Sequence, residues 1–263
     1  MPIIKARSLT KNYAVADKSP GWTGTLRHFF YRRNREIKAV DSVSFDINEG
    51  EIIGFIGPNG AGKTTTLKML SGLIHPTSGE LVVAGDTPKE RNNKFLKKIT
   101  LIMGQKQQLI WDLPPIDSIR VNSAIYGLSA KESNKRIDNL GSMLELTNEL
   151  SVPVRKLSLG QRMKVEILAA LIHRPSILFL DEPTLGLDIN AQLRVREFLK
   201  QYNISYGATI LLTSHYMGDI KYLCKRVMLI HHGKLIHDGT IESLTKRLAP
   251  FKSIKIVFAK DVE

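Results

Sequence analysis

The sequence predicts an α/β fold, and three observations carry that prediction. Short, mostly apolar runs at 52–56, 99–103, 177–180 and 209–213 read as strands, with helical segments between them. Between the first strand and a helix, Gly57-Pro58-Asn59-Gly60-Ala61-Gly62-Lys63-Thr64 fits G-x-x-x-x-G-K-[ST] at every fixed position. From 114 to 154 the pattern turns helical, which interrupts an otherwise strand-rich chain and marks an inserted subdomain.

The chain opens with a strand at 3–9 and the run Thr-Lys-Asn-Tyr ending at Tyr13. A second strand is expected at 39–47, where Val43, Phe45 and Ile47 alternate. The stretch 14–38 between them is irregular and basic, with Arg27, Arg32, Arg33 and Arg35 set around Phe29, Phe30 and Tyr31. Within it, 24–36 suits either an anionic membrane surface or a solvated insertion containing a short helix. In the phosphate loop, Gly57, Gly60 and Gly62 let the backbone turn tightly, so its N–H groups converge on an anion. The helix expected at 65–73 aims its positive end at the same point. That motif predicts a bound nucleoside triphosphate, with Lys63 at the β- and γ-phosphates and the Thr64 hydroxyl on Mg²⁺.

Beyond the loop, 75–80 reads as a turn, 81–84 as a short strand, and 99–103 as a strand ending at Gly104-Gln105. Ser129 and Glu132 form a capping-box pattern ahead of Ile137, Leu140, Met143 and Leu144 at helical spacing. Ser158 fits the N-cap of a helix whose apolar face carries Met163, Ile167, Ala170 and Leu171, and Pro175 ends it. The strand at 177–180 runs into Asp181-Glu182, and a helix at 190–202 leads to the strand at 209–213 and Ser214-His215. Segments 227–231 and 234–237 read as a hairpin through Gly233.

Composition narrows the setting. No run approaches the roughly 18 apolar residues of a membrane span, and MPIIKARSLTKNY lacks the apolar core of a signal peptide. A single cysteine, Cys224, excludes an internal disulfide and suits a reducing compartment. The net charge of +13 calls for an anionic neighbour, either nucleic acid or the anionic face of a membrane.

Triphosphate hydrolysis needs charge neutralisation and a positioned water more than covalent help. Asp181, at the end of a buried strand, is placed to hold Mg²⁺ with Thr64, and Glu182 to polarise the attacking water. Two adjacent carboxylates on an apolar strand are costly without a compensating cation.

The phosphate loop, Gln105, LSLGQ at 157–161, ILFLDEP, LGLD and His215 follow one another along nearly the whole chain. In that order and spacing they resemble the ATP-binding subunit of an ABC transporter. The fold implied is a P-loop NTPase core with a mixed sheet flanked by helices. An N-terminal antiparallel β subdomain and an inserted helical subdomain at about 106–172, carrying the signature motif, complete one domain over 1–263. By the same resemblance Tyr13 stacks on adenine, with Trp22 and Tyr31 as alternatives, and Thr65 joins the phosphate contacts. Gln105 touches Mg²⁺ and the attacking water, and His215 the γ-phosphate. Ser158, Gly160 and Gln161 meet ATP held by a second subunit, and Asp188 lies in the loop that crosses between the two. Leu159 stands where the family's commonest signature has glycine.

The cofactors implied are ATP and Mg²⁺. The partners are integral membrane permease subunits and a second ATP-binding subunit, identical or different, at the cytoplasmic face of the membrane. The stretch 99–118 together with the basic insertion is similar to subunits paired with type 2 efflux permeases, which implies export. A soluble ABC ATPase acting on nucleic acid or ribosomes is the alternative that the charge suggests.

Overall fold

A computed structural model describes residues 2–16, 34–104 and 108–248. The first two strands, β1 (Pro2–Ala16) and β2 (Asn34–Asn48), form an antiparallel sheet with β4 (Ser78–Val83), in the order β2-β1-β4. Their ladder runs through Tyr13–Ile37 to Ala16–Asn34, so residues 14–16 and 34–38 are strand, not the irregular chain expected. Tyr13, Val15 and Ile37 are exposed there. Backbone pairing, not burial, extends these strands, and the side-chain pattern therefore gave no sign of it. The rest of the basic insertion, with Trp22 and Tyr31, lies outside the described residues. The turn expected at 75–80 is also shorter, because Ser78 and Glu80 already pair with Thr10 and Arg7.

The second sheet has the order β5 (Ile99–Met103), β6 (Ile177–Asp181), β7 (Thr209–Thr213), β3 (Ile52–Ile56), β8 (Arg226–His231) and β9 (Lys234–Gly239). In chain order β3 is Ile52–Ile56, followed by α1 (Lys63–Leu70), α2 (Asn93–Lys98) and β5 (Ile99–Met103). The helical segment holds α3 (Pro115–Ile125), α4 (Ala130–Met143) and α5 (Leu159–Leu171). Then come β6 (Ile177–Asp181), α6 (Ile189–Tyr206), β7 (Thr209–Thr213) and α7 (Met217–Leu223). The hairpin β8 (Arg226–His231) and β9 (Lys234–Gly239) precedes α8 (Ile241–Leu248). Among the described residues of this sheet only β9 runs antiparallel to its neighbour, so the sheet is mixed as expected.

The central strands are apolar because both of their faces are covered. Leu178 and Leu180 of β6 face a core shared with α5 and α6, whereas Ile177 and Phe179 face a core shared with α1 and the antiparallel sheet. Among the described residues no helix is long and apolar enough to cross a membrane.

Candidate functional site

Parallel pairing brings the carboxyl ends of β3, β7 and β6 side by side, the usual place for a ligand in an open α/β sheet. The phosphate loop leaves β3 and enters α1 at Gly62, whose φ of 108° lies in the left-handed region. A Cβ at Gly62 would sit 2.4 Å from the Ala39 carbonyl, and one at Gly57 2.1 Å from the Ile230 carbonyl. These glycines therefore let the loop press against β2 and β8. Gly233 N–H donates to the Ala61 carbonyl at 2.9 Å, tying the loop to the hairpin turn. A cleft of about 290 Å³ results, lined by Asn59, Gly60, Ala61, Gly62, Lys63, Thr64, Thr65, Ala39 and Glu182.

Lys63 is buried and donates to the Gly57 and Pro58 carbonyls at 2.6 and 3.0 Å. Burial pushes its ammonium below the ordinary lysine value, with Glu182 and Asp181 pulling the other way. Thr64 Oγ1 donates to Asp181 Oδ2 at 2.8 Å, so the two residues expected to share Mg²⁺ are already joined. Hydroxyl and carboxylate oxygens are the hard donors that this ion takes, so the set fits it.

Asp181 has a second partner that sequence reasoning missed. Thr213 Oγ1 donates to Asp181 Oδ1 at 2.7 Å and accepts from the Glu182 N–H at 3.0 Å. A threonine closing a buried strand beside Ser214-His215 was the available signal. Glu182 itself has a φ of 55°, strained for a glutamate, and its Oε1 lies 2.7 Å from His215 Nε2. Ala39 was also missed, since only the close approach at Gly62 reveals it.

Other expected site residues lie apart from this cleft. Tyr13 is exposed on β1, with the Lys11 ammonium 5.3 Å from its ring centre, and does not line the cleft. Gln105 lies outside the described residues. Ser158 caps α5 in a full capping box: its Oγ accepts from Gln161 N–H at 3.2 Å, and its N–H donates to Gln161 Oε1 at 3.0 Å. With the Gln161 N–H taken by the cap, the first-turn N–H groups of Leu159 and Gly160 are the ones a helix start leaves open. A Cβ at Gly160 would come 2.8 Å from Ala191 Cβ, so the signature packs on the start of α6. There Asp188 is the N-cap, its Oδ1 accepting from Ala191 N–H at 2.9 Å. Leu159, in place of glycine, is half exposed beside Gly186.

The α5 helix carries one further surprise. Glu166 is buried, and its carboxylate accepts from the Gln108 N–H at 3.1 Å and the Leu109 N–H at 3.3 Å. Desolvation raises its pKa against those two bonds. The helix thereby grips the chain just past Gln105. A charge on the same helical face as Met163, Ile167 and Ala170 was the sequence signal.

The model of the ABC transporter family matches residues 40–185. The probable multidrug ABC transporter ATP-binding protein YbhF of Escherichia coli (strain K12) is 36% identical over 237 residues, or 89% of this chain. The chain spans only 40% of the length of that relative. The ABC transporter ATP-binding protein NatA of Bacillus subtilis (strain 168) is 36% identical over 215 residues, covering 82% of this chain and 87% of NatA. Among solved structures, the dimeric post-hydrolysis state of the ATP-binding cassette MJ0796 bound to ADP and Pi superimposes with a TM-score of 0.73. It is 25% identical, with 90% of this chain and 98% of that one covered.

Proposed function

The chain belongs to the ABC transporter family of ATP-binding proteins, and we propose that it binds and hydrolyses ATP to drive a separate membrane permease. The observation that carries this reading is the set of groups at the strand ends. The phosphate loop, the Thr64–Asp181 bond and the Glu182–His215 contact meet around one cleft.

In this reading the loop N–H groups and Lys63 hold the phosphates. Thr64 and Asp181, with Gln105, hold Mg²⁺, which supplies charge neutralisation at the phosphate oxygens. Glu182 orients the attacking water, and His215 turns from Glu182 to the γ-phosphate. Tyr13 lies against adenine. The signature residues Ser158, Gly160 and Gln161 do not line the cleft of their own chain. That separation supports a head-to-tail pair in which each ATP is held by one phosphate loop and the partner's signature, with Asp188 at the crossing. Loss of the γ-phosphate contacts then lets the pair open.

Two features support a membrane partner. A cleft of about 460 Å³, lined by Leu73, Arg91, Leu101, Met103, Gln108 and Tyr126, borders the helical segment. Ile110, Trp111, Leu113, Val121 and Ile125 lie exposed on that segment. These surfaces suit a permease segment at the cytoplasmic face. Likeness to a protein named as a multidrug transporter component favours export. The soluble reading rests on the net charge alone.

The test is ATP turnover and pairing by the wild type and Glu182→Gln. The variant should lose nearly all hydrolysis, keep ATP binding and accumulate as an ATP-bound dimer. Turnover at the wild-type rate in Glu182→Gln would overturn the assignment.

A further inference from the structure

Asp219, in α7, is 1% exposed. A carboxylate so buried is costly unless its oxygens are matched, so its partners are informative. Oδ1 accepts from Arg196 Nε of α6 at 2.5 Å. Oδ2 accepts from two hydroxyls, Thr184 Oγ1 and Ser214 Oγ, the latter at 2.5 Å. Each hydroxyl belongs to a different loop of the site. Thr184 follows Glu182 by two residues, and Ser214 joins Thr213 to His215.

Both loops need fixing. Glu182 holds its left-handed backbone only where its surroundings over-determine it, and its own N–H is bound to Thr213 O and Oγ1 at 3.2 and 3.0 Å. On the far side, the Arg196 guanidinium donates to Gln192 Oε1 at 3.1 Å, and Gln192 Nε2 donates to the Leu187 carbonyl at 3.0 Å. Leu187 precedes Asp188, the cap of α6. One buried carboxylate therefore touches the Glu182 loop, the His215 loop and the helix that begins at Asp188.

We propose that Asp219, held by Arg196, is a positioning residue that sets Glu182 and His215 relative to each other and links them to the Asp188 loop. A pair serving only to join α6 to α7 would not direct both remaining hydrogen bonds to the two catalytic loops. The inference rests on the ATP-hydrolysis reading above.

Ser214→Ala and Thr184→Val, made singly, unhook one loop each and leave the Asp219–Arg196 pair in place. Each should lower kcat about 10- to 100-fold, with KM for ATP within about twofold, because misplacement acts on the chemical step. Replacing the pair itself with Asp219→Leu and Arg196→Met together keeps an apolar fill, and should lose turnover equally while still binding ATP. Wild-type kcat in Ser214→Ala and Thr184→Val, or a parallel loss of ATP affinity and turnover, would overturn the proposal. Wild type and Glu182→Gln are measured alongside. If the wild type does not hydrolyse ATP, or Glu182→Gln does so normally, the hydrolysis reading has failed instead.

Discussion

Thr213→Val removes one hydroxyl and almost no volume, which makes its effect calculable. Thr213 is fully buried and donates to Asp181 Oδ1 at 2.7 Å. The Glu182 N–H keeps its other acceptor, the Thr213 carbonyl at 3.2 Å. The loss is then essentially one hydrogen bond to a charged acceptor, worth roughly 1.5–3 kcal/mol. Because Asp181 is only half-buried, water can approach the freed oxygen, which places the cost at about 2 kcal/mol. For a chain of this size that lowers Tm by about 4–8 °C. Asp181 would then be held by Thr64 alone, so the Mg²⁺ concentration for half-maximal hydrolysis should rise. Thr213→Ser keeps the hydroxyl and should preserve the Mg²⁺ requirement, at a small packing cost. Thermal unfolding and Mg²⁺-dependent ATP turnover read both effects. A Tm within about 1 °C of wild type for Thr213→Val, with an unchanged Mg²⁺ requirement, would mean that this hydroxyl does not hold Asp181.

Two other outcomes follow from the geometry. Gly62→Ala puts a Cβ 2.4 Å from the Ala39 carbonyl, whereas Gly60→Ala meets nothing within 4 Å among the described residues. Strain from a positive φ is common to both, so the close approach to the Ala39 carbonyl makes the difference, and Gly62→Ala should be the less stable by about 1–3 kcal/mol in denaturant unfolding; equal stabilities would contradict this packing. His173 stacks on Tyr126 with ring centres 3.8 Å apart, its Nε2 3.2 Å from the Ile99 carbonyl, and burial lowers its pKa from 6.5 to about 4. The unfolded chain therefore binds this proton first, and stability falls as pH drops from 6.5 towards 4, by up to about 3 kcal/mol in all. His173→Phe should flatten that limb of the stability–pH curve, and an unchanged slope would rule the histidine out as its source.

Much of this fold was legible in the sequence because the central strands of the larger sheet are buried on both faces. The strands at 99–103 and 209–213 begin and end where the apolar runs do. The phosphate loop was equally clear, since its chemistry is local. The ladder beyond Tyr13 was not, because exposed paired strands carry no hydrophobic alternation. Short helices carry too few periodic positions to stand out in the sequence. Asn92 caps α2 by accepting from Phe95 N–H at 2.7 Å, a local signal within reach, yet only six residues follow it. Asp219, Thr213 and Ala39 gain their importance from chain segments brought together by the sheet. No spacing in the sequence encodes such contacts, although a carboxylate or hydroxyl that proves buried is a sign of them.

If each ATP site is completed by the signature of a second ATP-binding subunit, two defective variants of this chain should complement each other whenever they pair. Lys63→Ala removes the phosphate contact and Ser158→Arg blocks the signature, so neither variant should hydrolyse ATP alone. Mixed, they assemble one site in which both defects meet and one intact site. Turnover should recover on mixing and rise with the fraction of mixed dimer. A mixture as inactive as its components, although both variants fold and pair, would contradict it.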